Sequence, residues 1–220
     1  MEDNIITIDG PTSSGKNSVG FLLAKKLGYK YIDTGMIYRA ICLKMTRSGI
    51  LSTDLNKILL INKDLNIRFE MNDNWKVFLD EEDVTDKLHT PQISQLVHEV
   101  AAQPEVRKVT RGIQKEIAKK VKVVMGGRDI GSEIFPDARF KFWLTASVEE
   151  RASRRFKQLK EKDSAINFED VLRDMMERDR HDQEREASPM RKPEDAIVID
   201  NTELNVEETV NRMLDYIQNA

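Results

Sequence analysis

The sequence is poor in most features that would mark a specialised scaffold. One cysteine, Cys42, in 220 residues excludes an internal disulfide and any cysteine-based zinc cluster. Apolar runs such as Ile58-Leu59-Leu60-Ile61 are far short of the roughly 18 residues a transmembrane helix needs. Met1-Glu2-Asp3-Asn4 has neither the positive region nor the apolar run of a signal peptide, so a cytoplasmic protein without a membrane partner is the expectation. Net charge is −3, giving no overall basic field for nucleic acid. Aromatic residues make up only 6%, too few for a row of stacking platforms on single strands. Ten glycines and six prolines with 40% hydrophobic residues are ordinary globular composition, and the length favours one domain with inserts.

What is present is an alternation of strands and helices. Ile5-Ile6-Thr7-Ile8 reads as a buried strand ending at Asp9, followed by a helix with Val19, Leu22, Leu23 and Leu27 on one face and Gly28 as its stop. Tyr31-Ile32-Asp33 reads as a second strand, with Thr34 capping a helix to Gly49. Residues 65–79 switch to period two about Asn72-Asp73-Asn74, a hairpin inserted in an α/β chain. Helices over 92–103 and 105–120 are divided by Pro104, and strands follow at Val121 to Met125 and Phe140 to Leu144. Ser147 and Glu150 suggest a capping box. Asn167 caps a helix whose apolar face is Val171, Leu172, Met175 and Met176. Ala196 to Asp200 is a last strand, and Asn205 to Glu208 opens the final helix. This pattern predicts an α/β fold whose mainly parallel sheet is covered on both faces.

Gly10-Pro11-Thr12-Ser13-Ser14-Gly15-Lys16 fits G-x-x-x-x-G-K between strand and helix. In that setting loop amides and a helix N-terminus face phosphates, and Lys16 reaches the outer ones. Asn17 and Ser18 follow, where the general pattern has a hydroxyl directly after the lysine. The loop identifies nucleotide binding without identifying an acceptor.

Three further groups point to a second anion. Asp33-Thr34-Gly35-Met36-Ile37-Tyr38-Arg39 sets Thr34 and Arg39 at a helix start. Gly126-Gly127-Arg128-Asp129-Ile130-Gly131 follows a parallel strand, where ligands of such sheets bind. Eight of sixteen arginines fall between 151 and 192, among ten acids. Arg151, Arg154 and Arg155 share one helix face; Arg178, Asp182 and Arg185 share another. Guanidinium forks suit phosphates, although solvated Arg–acid pairs explain such spacing equally well when it stands alone.

At these residues the chain resembles the bacterial cytidylate kinases, of the nucleoside monophosphate kinase family. The motifs are the Gly10 loop, Asp33-x-Gly35-x-x-Tyr38-Arg39, Val100-Ala101-Ala102-x-Pro104-x-Val106-Arg107, Gly127-Arg128-Asp129-x-Gly131-x-x-x-Phe135-Pro136-Asp137-Ala138, Glu150-Arg151-Ala152-x-Arg154-Arg155 and Glu177-Arg178-Asp179-x-x-Asp182-x-x-Arg185. The resemblance implies a P-loop kinase fold of five parallel strands flanked by helices, with a small antiparallel insert. It implies a core at about 1–35, 111–150 and 166–220, a monophosphate-binding insert at about 36–110 with its hairpin at 65–79, and a lid at about 151–165. The implied reaction is phosphorylation of CMP and dCMP by ATP-Mg, in a monomer serving pyrimidine metabolism.

By the same resemblance, ATP occupies Gly10, Pro11, Thr12, Ser13, Ser14, Gly15, Lys16, Asn17 and Ser18. Thr34, Arg39, Arg128 and Arg185 line the monophosphate, Arg107 and Asp129 read cytosine, and Arg178 and Asp182 hold the ribose. Lys16, Arg128, Arg154, Arg155 and Arg185 supply the catalytic charge. Three positions depart from the family pattern: His98 replaces a small hydroxyl residue, Gly126 an acidic one, and Asn17 the hydroxyl beside the lysine. Ser18 and Asp9 remain as contributors near Mg2+, and no metal ligand is assigned. The alternatives are a UMP or shikimate-type kinase and a nucleotide-dependent switch; the absence of an Asn-Lys-x-Asp motif disfavours a guanine-reading switch.

Overall fold

The structure is a computed structural model and describes residues 2–71, 75–161 and 164–219. In chain order the elements are β1 (Glu2–Asp9), α1 (Lys16–Leu27), β2 (Lys30–Asp33), α2 (Thr34–Arg47), α3 (Leu55–Lys63), β3 (Ile67–Met71), β4 (Trp75–Leu79), β5 (Glu82–Asp83), α4 (Pro91–Ala102) and α5 (Pro104–Lys120). Then come β6 (Val123–Gly127), β7 (Ala138–Thr145), α6 (Val148–Lys160), α7 (Phe168–Glu184), β8 (Ile197–Asp200) and α8 (Val206–Gln218). A 3-10 turn spans Asp86–His89 and a π-helical turn spans Ile130–Ile134.

Five strands form one parallel sheet in the order β2-β6-β1-β7-β8. The central strand β1 is buried on both faces, which is why it reads as a continuous β-branched run. On one face Ile6 and Ile8 pack with Val19 and Leu23 of α1 and Val210 and Met213 of α8. On the other, Ile5, Val123 and Met125 pack with Ala118 of α5 and Ile134 of the π-helical turn. A third core lies in the insert, where α2 residues from Met36 to Met45 meet Ile58, Val77, Leu79, Ile93, Val97 and Val106. A fully buried side chain of this size contributes about 1.5–3 kcal/mol, so the insert is a packed body of its own.

The predicted hairpin is present as β3 and β4, and β5 extends it to three antiparallel strands. Its proposed turn at Asn72-Asp73-Asn74 lies outside the described residues. Helix α3 was not anticipated. The four-residue apolar run hides its period, since Ile58 is buried while Leu60 is exposed. Thr34 is not a cap: Asp33 is, accepting from Gly35 N at 2.9 Å, and Thr34 is the first helical residue. At α6 only half of the capping box forms. Ser147 accepts from Glu150 N, while the Glu150 carboxylate accepts from Arg154 Nε. Asn205 and Glu208 make the complete box on α8. On α7, Val171 and Met175 are buried, but Met176 is 53% exposed and lies off the apolar face.

Candidate active site

The loop between β1 and α1 sits at the carboxyl end of the sheet's central strand. Gly10 has φ +152°, and a Cβ there would lie 2.0 Å from the Leu144 carbonyl oxygen. Only glycine lets the loop cross β7 this closely. Gly15 at φ +90° and Ser13 at φ +58° complete the tight path. The Lys16 ammonium is held within the loop, donating to Gly10 O at 2.8 Å, Pro11 O at 2.6 Å and Ser14 Oγ at 3.2 Å. Burial and then the neighbouring Arg128 push its pKa well below the usual lysine range, against the pull of Asp33, Asp179 and Asp9. A phosphate in the loop supplies the negative charge that this cation is short of.

Two braces fix the loop from outside. Asp179 of α7 accepts from Thr12 N at 2.8 Å and pairs with Arg151 of α6, which also donates to Thr12 O at 3.0 Å. Asn201 donates to Ser14 O at 3.0 Å and is itself held by Arg154, at 3.0 Å to its Oδ1 and 2.8 Å to its carbonyl. Arg151, Asp179 and Asn201 were not among the expected site residues. Arg151 was grouped with Arg154 and Arg155 by helical spacing, yet it is 8% exposed and turns inward. The charge pattern alone does not tell a buried guanidinium from a solvated one.

Beyond the loop the candidate residues divide into two sets. In the first, charges alternate. Arg128 Nε donates to Asp182 Oδ2 at 2.9 Å, and Arg185 lies 3.4 Å from Asp182 and 3.6 Å from Asp129. Asp129 closes the chain by pairing with buried Arg107. Arg128 also reaches Thr12 Oγ1 at 3.1 Å, joining this set to the phosphate loop. Burial pushes the Asp182 pKa up, but Arg128, Arg185 and Arg178 outweigh it, and the net shift is downward.

In the second set the arginines lack carboxylates. Among the described residues Arg39 donates to neutral groups, Leu88 O at 2.8 Å and Ser94 Oγ at 3.0 Å. Arg178 has a buried Nε without a partner, and neither Arg178 nor Arg155 makes a side-chain ion pair among the described residues. Burial followed by Arg128 lowers the Arg178 pKa to about 10, with Arg39 and Arg155 adding to the effect and Asp182 opposing it. Burial, then Arg155 against the pull of Asp33 and Cys42, lowers Arg39. Arg128, Arg39 and Arg155 thus disfavour the charge on Arg178, and Arg155 that on Arg39, a crowding of guanidiniums that suits an anion.

Thr34 is buried and donates to Gly126 O at 3.0 Å, so its hydroxyl is engaged with backbone. Arg185 is not on α7 but caps its end, with Nε donating to Ser188 O at 2.6 Å. His98 is on α4, one turn beyond Ser94. Burial and then Arg178 lower its pKa, with Arg39 and His181 contributing and Asp182 opposing.

The donors beside the loop do not form a protein cage for a metal. No group of three His, Cys, Asp or Glu side chains assembles for one among the described residues. Asp9 is buried, its oxygens accepting from Ile130 N at 2.9 Å and Gly131 N at 2.7 Å, so it braces the turn after β6. Asn17 is engaged at both amide ends. These residues fit a metal that arrives on the phosphates of its nucleotide and needs few protein oxygens. Half-buried Asp33 is likewise engaged at both oxygens, by Asn17 Nδ2 at 2.8 Å and Gly35 N at 2.9 Å.

A family model described as cytidylate kinase matches residues 6–219. The cytidylate kinase of Caldanaerobacter subterraneus subsp. tengcongensis is 46% identical over 213 residues, spanning 97% of this chain and 94% of that protein. That of Geobacter sulfurreducens is 40% identical over 210 residues, spanning 95% and 90%. Among solved structures, an uncharacterized protein from Eubacterium ventriosum shares the fold with a TM-score of 0.56 at 13% identity, covering 98% of this chain and 99% of that one.

Proposed function

The chain belongs to the cytidylate kinase family, and from that premise we propose that it transfers the γ-phosphoryl group of ATP to CMP and dCMP, giving CDP and dCDP. The observation that carries the site is the group of arginines without carboxylate partners beside the phosphate loop: Arg39, Arg155 and Arg178, flanked by Arg128. ATP lies along residues 10–18 with Lys16 on its outer phosphates, and the acceptor phosphate lies among those arginines.

Magnesium enters as ATP-Mg and neutralises charge on the phosphates as they transfer. The chain's own part is positioning and electrostatics. Lys16 and Arg128 stabilise charge spread over the transferring group. Arg39 and Arg178 hold the acceptor oxygens in line. That oxygen is already ionised near neutral pH, so no residue need act as a strong base. Asp9 fits no such role: burial raises its pKa to about 7, but backbone amides claim its oxygens. Arg107, Asp129, Arg185 and Asp182, already charge-balanced, suit the neutral base and ribose, which ask for hydrogen bonds rather than net charge; this reading exchanges the roles that the resemblance implies for Arg178, at the ribose, and Arg185, at the monophosphate.

Residues 36–110 serve as the monophosphate-binding region and 151–165 as the lid, with the core at 1–35, 111–150 and 166–220. Within the lid Arg154 is tied to Asn201, while Arg155 is available to close on phosphates and exclude water. Activity as a monomer is part of the same proposal. The test is ADP formation from ATP-Mg with CMP, dCMP, UMP, AMP, shikimate or water as acceptor. Saturable turnover with CMP and dCMP is expected. Better turnover with UMP or AMP would overturn the base assignment, and no acceptor dependence would overturn the kinase reading.

A further inference from the structure

The residue after the loop lysine is an amide, and both its ends are occupied. The Tyr31 hydroxyl donates to Asn17 Oδ1 at 3.0 Å, so Nδ2 faces away and donates to Asp33 Oδ2 at 2.8 Å. Tyr31 is 2% exposed, its ring lying against Gly20 of α1, where a Cβ would come within 2.3 Å of Cε2. Its hydroxyl fills the space beside Gly126, where a Cβ would lie 2.6 Å from Oη. Burial and then Asp33 push the phenol pKa well up, so the hydroxyl keeps the proton it donates. Glycine at 126, tyrosine at 31 and asparagine at 17 are therefore one packing solution: a side chain at 126 would displace the hydroxyl that orients the amide.

The other end of this network is the acceptor side. Asp33 Oδ1 accepts from Gly35 N at 2.9 Å and caps α2, the helix that carries Arg39. One carboxylate thus joins the first turn of α1, which begins at Lys16, to the first turn of α2. Resting on the function proposed above, we infer that Asn17 is a positioning residue and not a metal-side ligand. With Tyr31 it clamps Asp33 and ties the ATP loop to the helix of the acceptor site.

The test is calorimetric titration of the full chain with CMP, and separately with a non-hydrolysable ATP analogue in Mg2+ or in EDTA. A clamp predicts that Asn17→Ala weakens CMP binding about 3- to 10-fold, the worth of one hydrogen bond. It also predicts that the change in analogue affinity is the same factor with and without Mg2+. Tyr31→Phe keeps the buried ring and should reproduce the CMP loss, and the double variant should be no worse than either single one. A loss of analogue binding confined to the Mg2+ samples, or unchanged CMP affinity in Asn17→Ala, would overturn the clamp. Failure of the unmodified chain to bind CMP would overturn the acceptor reading itself, before any variant is compared.

Discussion

Two sets of arginines lie within one cleft and differ in what surrounds them. Arg107, Arg128 and Arg185 alternate with Asp129 and Asp182, so most of the charge on that side is balanced. Arg39, Arg155 and Arg178 have no carboxylate within pairing distance among the described residues, and Arg178 is pushed down to about 10 by burial and Arg128. Counting arginines does not separate the two. Their partners do, and on the proposed reading the balanced side meets polar groups and the unbalanced side an anion.

The largest effect should follow loss of the cation that belongs to neither set. Lys16→Ala should lower kcat/KM by at least about 10²–10³-fold, the usual cost of removing a charge stabiliser at the reacting group. Steady-state rates on a variant with unchanged circular dichroism check this. Next, Arg107→Ala leaves buried Asp129 with the longer Arg185 contact at 3.6 Å as its remaining ion pair among the described residues, and should destabilise the fold by up to about 3–5 kcal/mol in urea denaturation. The contrast sharpens at Arg178→Ala, which relieves repulsion instead of creating it. Its unfolding midpoint should hardly fall, while KM for CMP rises by about 10-fold or more, the scale of a lost charge-assisted contact. If Arg178→Ala destabilised the fold as much as Arg107→Ala, the distinction between the sets would fail.

A smaller effect contrasts two buried carboxyls. Asp182 is held below its usual range and stays ionised, whereas burial raises Asp9 to about 7 from 3.8. A raised acid holds its proton in the folded state. Its contribution is therefore complete below about pH 4 and is lost as pH rises through 7. Urea midpoints from pH 5 to 8 should fall more in the unmodified chain than in Asp9→Asn. The smallest effect is expected at the exposed pair Lys76–Asp83 of the insert, where Lys76→Ala should cost under about 1 kcal/mol in the same assay.

The parallel sheet was legible because β-branched runs and stop signals are local. So was the phosphate loop, whose spacing reflects a backbone path that a Cβ at Gly10 would block. The hairpin could be read from its period, but α3 could not, because Leu60 faces solvent within an apolar run. The arginines of the proposed site could be grouped through motif resemblance. Their division was not, since Arg151 and Arg178 differ only in what they meet across the fold: Asp179 in one case, other arginines in the other. Asn201 was missed because its role depends on reaching the Ser14 carbonyl from the end of another strand, 187 residues away.

The central claim is that Arg39 and Arg178 hold the acceptor's phosphate while Arg107, Asp129, Arg185 and Asp182 face its nucleoside, with Arg128 at the transferring group. The most direct measurement is calorimetric binding of CMP and of cytidine to the unmodified chain and to Arg178→Ala. The account predicts that CMP binds far more tightly than cytidine, and that Arg178→Ala removes most of that difference while leaving cytidine binding unchanged. Equal weakening of both ligands, or a phosphate contribution that survives the substitution intact, would contradict it.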